Sequence, residues 1–347
     1  MASRLKIVAD SDIPFLEGVL DSYADVVFKK GAEISPADVR DADALLARTR
    51  TRCDAALLGG SRVRFIGTAT IGYDHIDTDY CRRHGIEVAA AAGCNARGVL
   101  QYVMGALAEL SRKEGWRPEE KTIGIVGVGN VGGLVAEYAA NLGFRVLLCD
   151  PPKEETYPGN AFYIPLDELL PQSDIVTLHV PLNRSGKYQT LGMACDTFFG
   201  KMREGAVFIN TSRGEVVEDG ALIDALGSGR IGAAVIDTWN GEPFINGELL
   251  DMATFATPHI AGYSIQGKAN GTAAVVRALG RRFGLPLTGW YPPQAKPAAV
   301  NPDITWEELQ RTIGAHFDIA AETAALKARP ELFEEFRCHY RYREEYF

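Results

Sequence analysis

Three short stretches carry side chains whose types fit one reaction. "NTSRGEVV" holds Arg213, "DTWNGEP" holds Asp237 and Glu242, and "TPHIAGYS" holds His259. An arginine offers a planar fork that grips a carboxylate through two hydrogen bonds and stays charged at any working pH. A histidine takes up or releases a proton near neutrality. A carboxylate bonded to its other ring nitrogen fixes the tautomer and stabilises the imidazolium. Together they suit hydride exchange at a carbon that bears a hydroxyl beside a carboxylate: Arg213 anchors the acid, His259 takes the hydroxyl proton and Glu242 orients His259. Each also has a plain reading, as a surface ion pair, an exposed loop carboxylate or a turn histidine, but all three follow successive apolar strands.

A departing hydride needs an acceptor, and "TIGIVGVGNVGGLVAEYAANLGFRVLLCD" is a sequence for holding one. Gly127-x-Gly129-x-x-Gly132 follows an apolar strand and opens an amphipathic helix, and Asp150 closes the next strand, 18 residues beyond Gly132. Gly127 permits the tight turn, Gly129 lets the backbone approach a pyrophosphate, and Gly132 lets helix and strand pack closely. The helix start at Asn130 and Val131 presents N–H groups and the positive end of the helix dipole to that anion. Asp150 would accept hydrogen bonds from ribose hydroxyls and repel a 2′-phosphate, which predicts NAD rather than NADP; Lys153 nearby weakens that preference slightly.

These motifs need strands to aim them. "LKIVAD", "ALLAR", "VRFIGTA" and "IEVAAA" are short apolar runs separated by helix-compatible segments, which predicts a parallel sheet covered on both faces. A helix from Asn95 to Lys113, with Val99, Val103, Leu107 and Leu110 at helical spacing, leads out of this first domain. A second series runs through "KTIGIVG", "FRVLLCD", "SDIVTLHV", "AVFINTS" and "GAAVIDT" to "FATPHIAG", so the chemistry-bearing loops fall at the carboxyl ends of parallel strands, where such sheets bind ligands. After Leu285 a proline-rich stretch reads as a linker or extended arm, followed by a helical, aromatic-rich tail whose apolar positions need either the parent domain or a second subunit to cover them.

The chain has 347 residues, enough for two domains, with 46% hydrophobic and 23% charged residues and a formal net charge of −9. That balance argues against a nucleic-acid or membrane surface. Asp10 interrupts the first apolar stretch before it reaches signal-peptide length, which reads as cytoplasmic. The six cysteines show no C-x-x-C pair or zinc spacing, so reduced thiols and no metal are expected. An anionic ligand then needs a local basic cluster. "ARTRTRC" sets Arg48, Arg50 and Arg52 at alternate positions, and an extended chain would turn them to one face, suited to a phosphate; a solvated basic edge is the alternative.

The fingerprint and the three loops resemble the D-isomer-specific 2-hydroxy-acid dehydrogenase family over nearly the whole chain. The resemblance implies an α/β fold of two doubly wound parallel-sheet domains. A Rossmann-type NAD domain would span 96–257, a flavodoxin-like substrate domain 1–95 with 258–285, and a small C-terminal dimerisation extension 286–347. It also implies that Arg213, Glu242 and His259 are substrate anchor, histidine partner and general acid/base. Thr49, Thr70 and Tyr263 would contact substrate, and Asp237 and Gly262 would lie beside the cofactor. Where the family often has a polar residue this chain has Val180, so a cofactor contact there falls to backbone; His179 beside it is read as structural. Cys94-Asn95, Pro151-Pro152 and the Gly-Lys-Ala after the histidine motif resemble members acting on a phosphorylated hydroxy acid, with Arg48 and Arg50 at hand. "FEEFRCHYRYREEY" resembles their dimerisation region, which implies a homodimer. The alternatives are a family member specific for phosphoglycerate, glycerate or lactate, and an NAD-sensing interaction protein without turnover.

Overall fold

The computed structural model describes residues 4–156 and 162–347. The chain forms two compact units, one built from residues 1–95 and 264–297, the other from 96–263 and 298–347.

In the first unit β1 (Leu5–Asp10), β2 (Ala24–Lys29), β3 (Ala44–Ala47), β4 (Phe65–Thr68) and β5 (Glu87–Ala90) pair in the order β2-β1-β3-β4-β5, all parallel. This is the flavodoxin-like order. Because side chains alternate across a strand, Ile7, Leu46 and Phe65 pack on one face with Val275 and Leu279 of the helix Ile265–Phe283. Val8, Leu45 and Ile66 pack on the other with Leu57 and Cys81. Both faces are buried, which is why these strands read as unbroken apolar runs.

The second unit contains β6 (Thr122–Val126), β7 (Arg145–Cys149), β8 (Ile175–Leu178), β9 (Ala206–Asn210), β10 (Ile231–Ile236) and β11 (Phe255–Ala256). Their order is β11-β10-β9-β8-β6-β7, again all parallel. An isolated parallel bridge, Leu148 to Tyr163, stands where a Rossmann sheet carries its third strand outside the second. The strand order reverses at β6, so the loops after β6 and β8 border the crevice where such sheets take a nucleotide.

The boundaries differ from expectation at three points, of which one is that residues 286–297 stay with the first unit. Compactness keeps residues 258–263 with the nucleotide-type sheet, because the buried carboxylate of Asp237 binds that loop, accepting from Ile260 N at 2.7 Å and Ala261 N at 2.9 Å. The tail from 298 onward also joins this unit. Trp306, Leu309, Ile313 and Phe347 enter the core on one face of its sheet, and Leu326 and Phe333 enter the core on the other. Trp306 stacks with Trp116, ring centres 6.2 Å apart, and meets Phe144 edge-on at 5.9 Å. The helix Ile319–Ala328 covers the sheet's edge: Ala256 N donates to Thr323 Oγ1 at 3.0 Å, which occupies a donor an edge strand would otherwise leave open.

Candidate active site

Asn210, Ile236 and Ala256 are in register on three adjacent parallel strands. The loops after β9, β10 and β11 therefore emerge side by side, bringing out Arg213, then Asp237 with Glu242, then His259. Asn210 shapes the first loop, donating through Nδ2 to the Arg213 carbonyl at 3.0 Å and accepting at Oδ1 from Ser212 N at 3.0 Å. Arg213 itself is half-buried and donates from Nη1 to the Ser212 carbonyl at 2.8 Å.

In the second loop Trp239 is buried, its Nε1 donating to the Thr257 carbonyl at 2.9 Å and its backbone N to Glu242 Oε1 at 2.9 Å. Glu242 thus points at the third loop. His259 Nδ1 lies 2.9 Å from Glu242 Oε2 and 3.1 Å from Oε1. Burial works against the Glu242 charge, but His259, the hydrogen bonds and Arg337 outweigh it and hold its pKa below the ordinary carboxylate value. A pair of this kind can move a proton at the opposite ring nitrogen, Nε2, with the developing imidazolium stabilised by the carboxylate.

His259 takes a backbone φ of 56°, which few residues other than glycine adopt. Asp237 helps to enforce it: its carboxylate also accepts from Thr257 Oγ1 at 2.6 Å, and its carbonyl accepts from His259 N at 2.8 Å. Asp237 is buried, and burial raises its pKa against the pull of His259 and these bonds. The cofactor contact expected of Asp237 is therefore at most a share of a carboxylate already committed to the histidine loop. Gly262 follows in that loop, partly exposed.

The dinucleotide fingerprint has the conformation its glycines predict. Gly127 has φ 85°, and a Cβ there would sit 2.6 Å from the His179 carbonyl oxygen. A Cβ on Gly132 would lie 1.9 Å from the Gly127 carbonyl oxygen, whereas the space at Gly129 is open. The helix Asn130–Asn141 starts without a side-chain cap, so its first-turn N–H groups at Asn130, Val131 and Gly132 face outward toward an anion site. Asp150 Oδ2 accepts from Val128 N at 2.8 Å, tying the end of β7 to this loop, and Lys153 is pinned to the Val128 carbonyl. Val180 is half-buried beside Gly127. His179 bonds Thr177 Oγ1 through Nε2 at 3.0 Å, and burial pushes its pKa down to about 3, so it is neutral.

The first unit departs from expectation at the basic cluster. β3 ends at Ala47, and Thr51 N closes a turn on the Arg48 carbonyl at 3.1 Å, so the two-residue alternation stops and the three arginines do not share a face. Arg48 donates to the Asp12 carbonyl at 2.7 Å, Arg52 turns back to Asp54 at 2.9 Å, and Thr49 and Arg50 are exposed. The turn is set from outside the segment, by Thr51 Oγ1 donating to the Gly31 carbonyl at 3.1 Å. Thr70, just past β4, spends its hydroxyl locally, 2.8 Å from Thr68 Oγ1 and donating to the Gly72 carbonyl at 2.9 Å.

The full sequence is 46% identical over 343 residues to the erythronate-4-phosphate dehydrogenase of Bacteroides fragilis, covering 98% of this chain and 97% of that one. It is 38% identical to the erythronate-4-phosphate dehydrogenase of Yersinia pestis, covering 99% and 93%. Residues 96–261 match the NAD-binding domain of D-isomer specific 2-hydroxyacid dehydrogenases. The chain belongs to the D-isomer-specific 2-hydroxyacid dehydrogenase family.

Among solved structures, a D-lactate dehydrogenase from Aquifex aeolicus, complexed with NAD and lactic acid, shares the fold with a TM-score of 0.66 at 22% identity, covering 84% of this chain and 100% of that one. The TT0316 protein of Thermus thermophilus gives 0.66 at 26% identity, covering 81% and 97%. This protein is an NAD-dependent dehydrogenase. The cradle at Gly132, the uncapped helix start and Asp150 fit the pyrophosphate and ribose of NAD.

Sequence reasoning missed two arginines of the dehydrogenase's tail. Arg337, on the helix Phe333–Cys338, places Nη1 3.6 Å from Glu242 Oε2 and Nε 3.3 Å from the Tyr263 hydroxyl. Arg343 is buried and donates from Nη2 to the Ala261 carbonyl at 2.7 Å and the Ile260 carbonyl at 3.3 Å. The signal was three arginines among the aromatics of "FRCHYRYREEYF", of which Arg337 and Arg343 reach the loops of the candidate site, and nothing in the stretch says which of the three would do so.

Proposed function

We propose that this dehydrogenase oxidises 4-phospho-D-erythronate at C2 to 2-oxo-3-hydroxy-4-phosphobutanoate, in pyridoxal 5′-phosphate (vitamin B6) biosynthesis. The observation that carries the reading is the bond from His259 Nδ1 to Glu242, in a chain 46% identical to a named erythronate-4-phosphate dehydrogenase. NAD, when bound, accepts the hydride. His259 Nε2 takes the C2 hydroxyl proton as general base and returns it in the reverse direction, and Glu242 stabilises the imidazolium. Arg213 holds the substrate carboxylate through its guanidinium.

Arg48, Thr49, Arg50, Thr70 and Tyr263 are the proposed substrate contacts, with Arg48 and Arg50 nearest in chemistry to a phosphate's needs. Gly127, Gly129, Asn130, Val131, Gly132, Asp150, Val180, Asp237 and Gly262 are the proposed cofactor contacts. A cytoplasmic homodimer is part of the same reading. Among the described residues no helix is long and apolar enough to cross a membrane.

The test is NADH formation by the purified protein with 4-phospho-D-erythronate, set against phosphoglycerate, glycerate and lactate. Turnover of the phosphorylated erythronate alone supports the assignment. Activity with a different hydroxy acid keeps the mechanism and moves the substrate, and NADH binding with no turnover of any acid replaces the enzyme reading with the NAD-sensing one.

A further inference from the structure

We propose that Arg337 is a positioning residue of this active site, through which the C-terminal tail sets the charge balance of the Glu242–His259 pair. The inference rests on the reading of His259 as the acid/base.

Several contacts hold the tail against the histidine loop. Phe333 anchors the helix in the core, and Arg343 ties the following segment to the carbonyls of Ile260 and Ala261. Between these anchors Tyr340 and Tyr342 meet the Tyr263 ring edge-on, centres 6.2 and 5.9 Å away. Arg337 is thereby fixed with its side chain 23% exposed, Nη1 between Glu242 Oε2 at 3.6 Å and Glu334 Oε2 at 3.9 Å, and Nε on the Tyr263 hydroxyl. A guanidinium so far removed from water needs a counter-charge, and of the two carboxylates it meets, Glu242 and Glu334, the nearer is the one that also serves His259.

The charged and titratable groups around the pair come from every neighbouring element. Asp237 lies beneath the loop at the end of β10, Tyr263 follows the loop, and Arg337 with Glu334 comes from the tail helix. A fixed positive charge beside Glu242 does two things. It keeps the carboxylate ionised, and it opposes a second positive charge on the imidazole.

Arg337→Met keeps most of the stem and removes the charge; Arg337→Lys keeps the charge. In the oxidation direction, the acidic limb of kcat/KM should move to higher pH by about half a unit to one unit in R337M and stay in place in R337K. An NMR titration of the His259 ring signal, assigned with H259N, should show the same displacement in the NAD-loaded protein without any substrate. If R337M disturbs packing, R337Q, which retains a donor for Tyr263, takes its place. A wild-type acidic limb in the neutral variants, or an equal displacement in R337K, overturns the proposal. Failure of the underlying reading looks different: H259N would then turn over substrate at the wild-type rate.

Discussion

Both carboxylate oxygens of Glu242 face one atom, the Nδ1 of His259, at 2.9 and 3.1 Å. An ionised carboxylate brings no proton, so in the neutral imidazole the proton of this contact belongs on Nδ1, which leaves the lone pair of Nε2 for a substrate hydroxyl. Backbone holds the arrangement from both sides, through Trp239 N on Glu242 and Asp237 on the histidine loop.

Glu242→Gln keeps the size of the side chain and removes the charge opposite the imidazolium. Turnover should fall by roughly 10²-fold or more. The acidic limb of the profile should move to lower pH, opposite in sign to R337M. Unchanged turnover with an unmoved profile would show that Glu242 does not serve His259.

Asp237→Asn replaces one carboxylate oxygen with an amide nitrogen among three donors, Thr257 Oγ1, Ile260 N and Ala261 N. At least one buried donor then loses its acceptor, which costs roughly 1–3 kcal/mol. Urea unfolding should register that loss even without cofactor. A variant of wild-type stability would mean that the loop is held by other contacts.

His179 gives a pH dependence of stability. Its folded pKa is depressed to about 3 by burial. The unfolded chain therefore binds the proton first as pH falls below the ordinary histidine value, and stability declines through the window from about 6.5 to about 3. Between pH 7 and pH 5 wild type should lose on the order of 1–2 kcal/mol more than His179→Gln. Equal losses, read from urea curves at the two pH values, would remove His179 from the acid response.

Much of the site was legible because its chemistry sits in loops of fixed offset from apolar strands. Arg213, Glu242 and His259 follow β9, β10 and β11, and parallel register alone places those loops together. The fingerprint was legible for the same reason, since each glycine answers a local steric demand. The turn after Arg48 was not. "ARTRTRC" contains no glycine or proline, and what bends it is a hydrogen bond from Thr51 to Gly31, a residue twenty positions earlier. The bonds from Asp237 to the histidine loop were not legible either, because they join residues more than twenty positions apart. The sequence left the tail's cover open between the parent domain and a second subunit, and Trp306, Phe333 and Phe347 pack on their own chain.

That packing has its own consequence. Trp306 is 6% exposed between Trp116 and Phe144. Trp306→Ala should cost about 3–5 kcal/mol, the usual range for emptying a buried aromatic site. The loss should appear in the NAD-binding unit's unfolding transition, at protein concentrations where the oligomeric state is unchanged. A stability unaltered at constant oligomeric state would show that the tail contributes nothing to its own unit.

The central claim is that a hydride leaves C2 of 4-phospho-D-erythronate for NAD while His259 takes the hydroxyl proton. Substrate deuterated at C2 tests it, with the cofactor analysed by mass spectrometry after reaction with wild type and with His259→Asn. The account predicts deuterated NADH from wild type and a rate lower by roughly 10²-fold or more from the variant, with NAD binding intact. NADH without deuterium, or deuterium transfer by the variant at the wild-type rate, would contradict it.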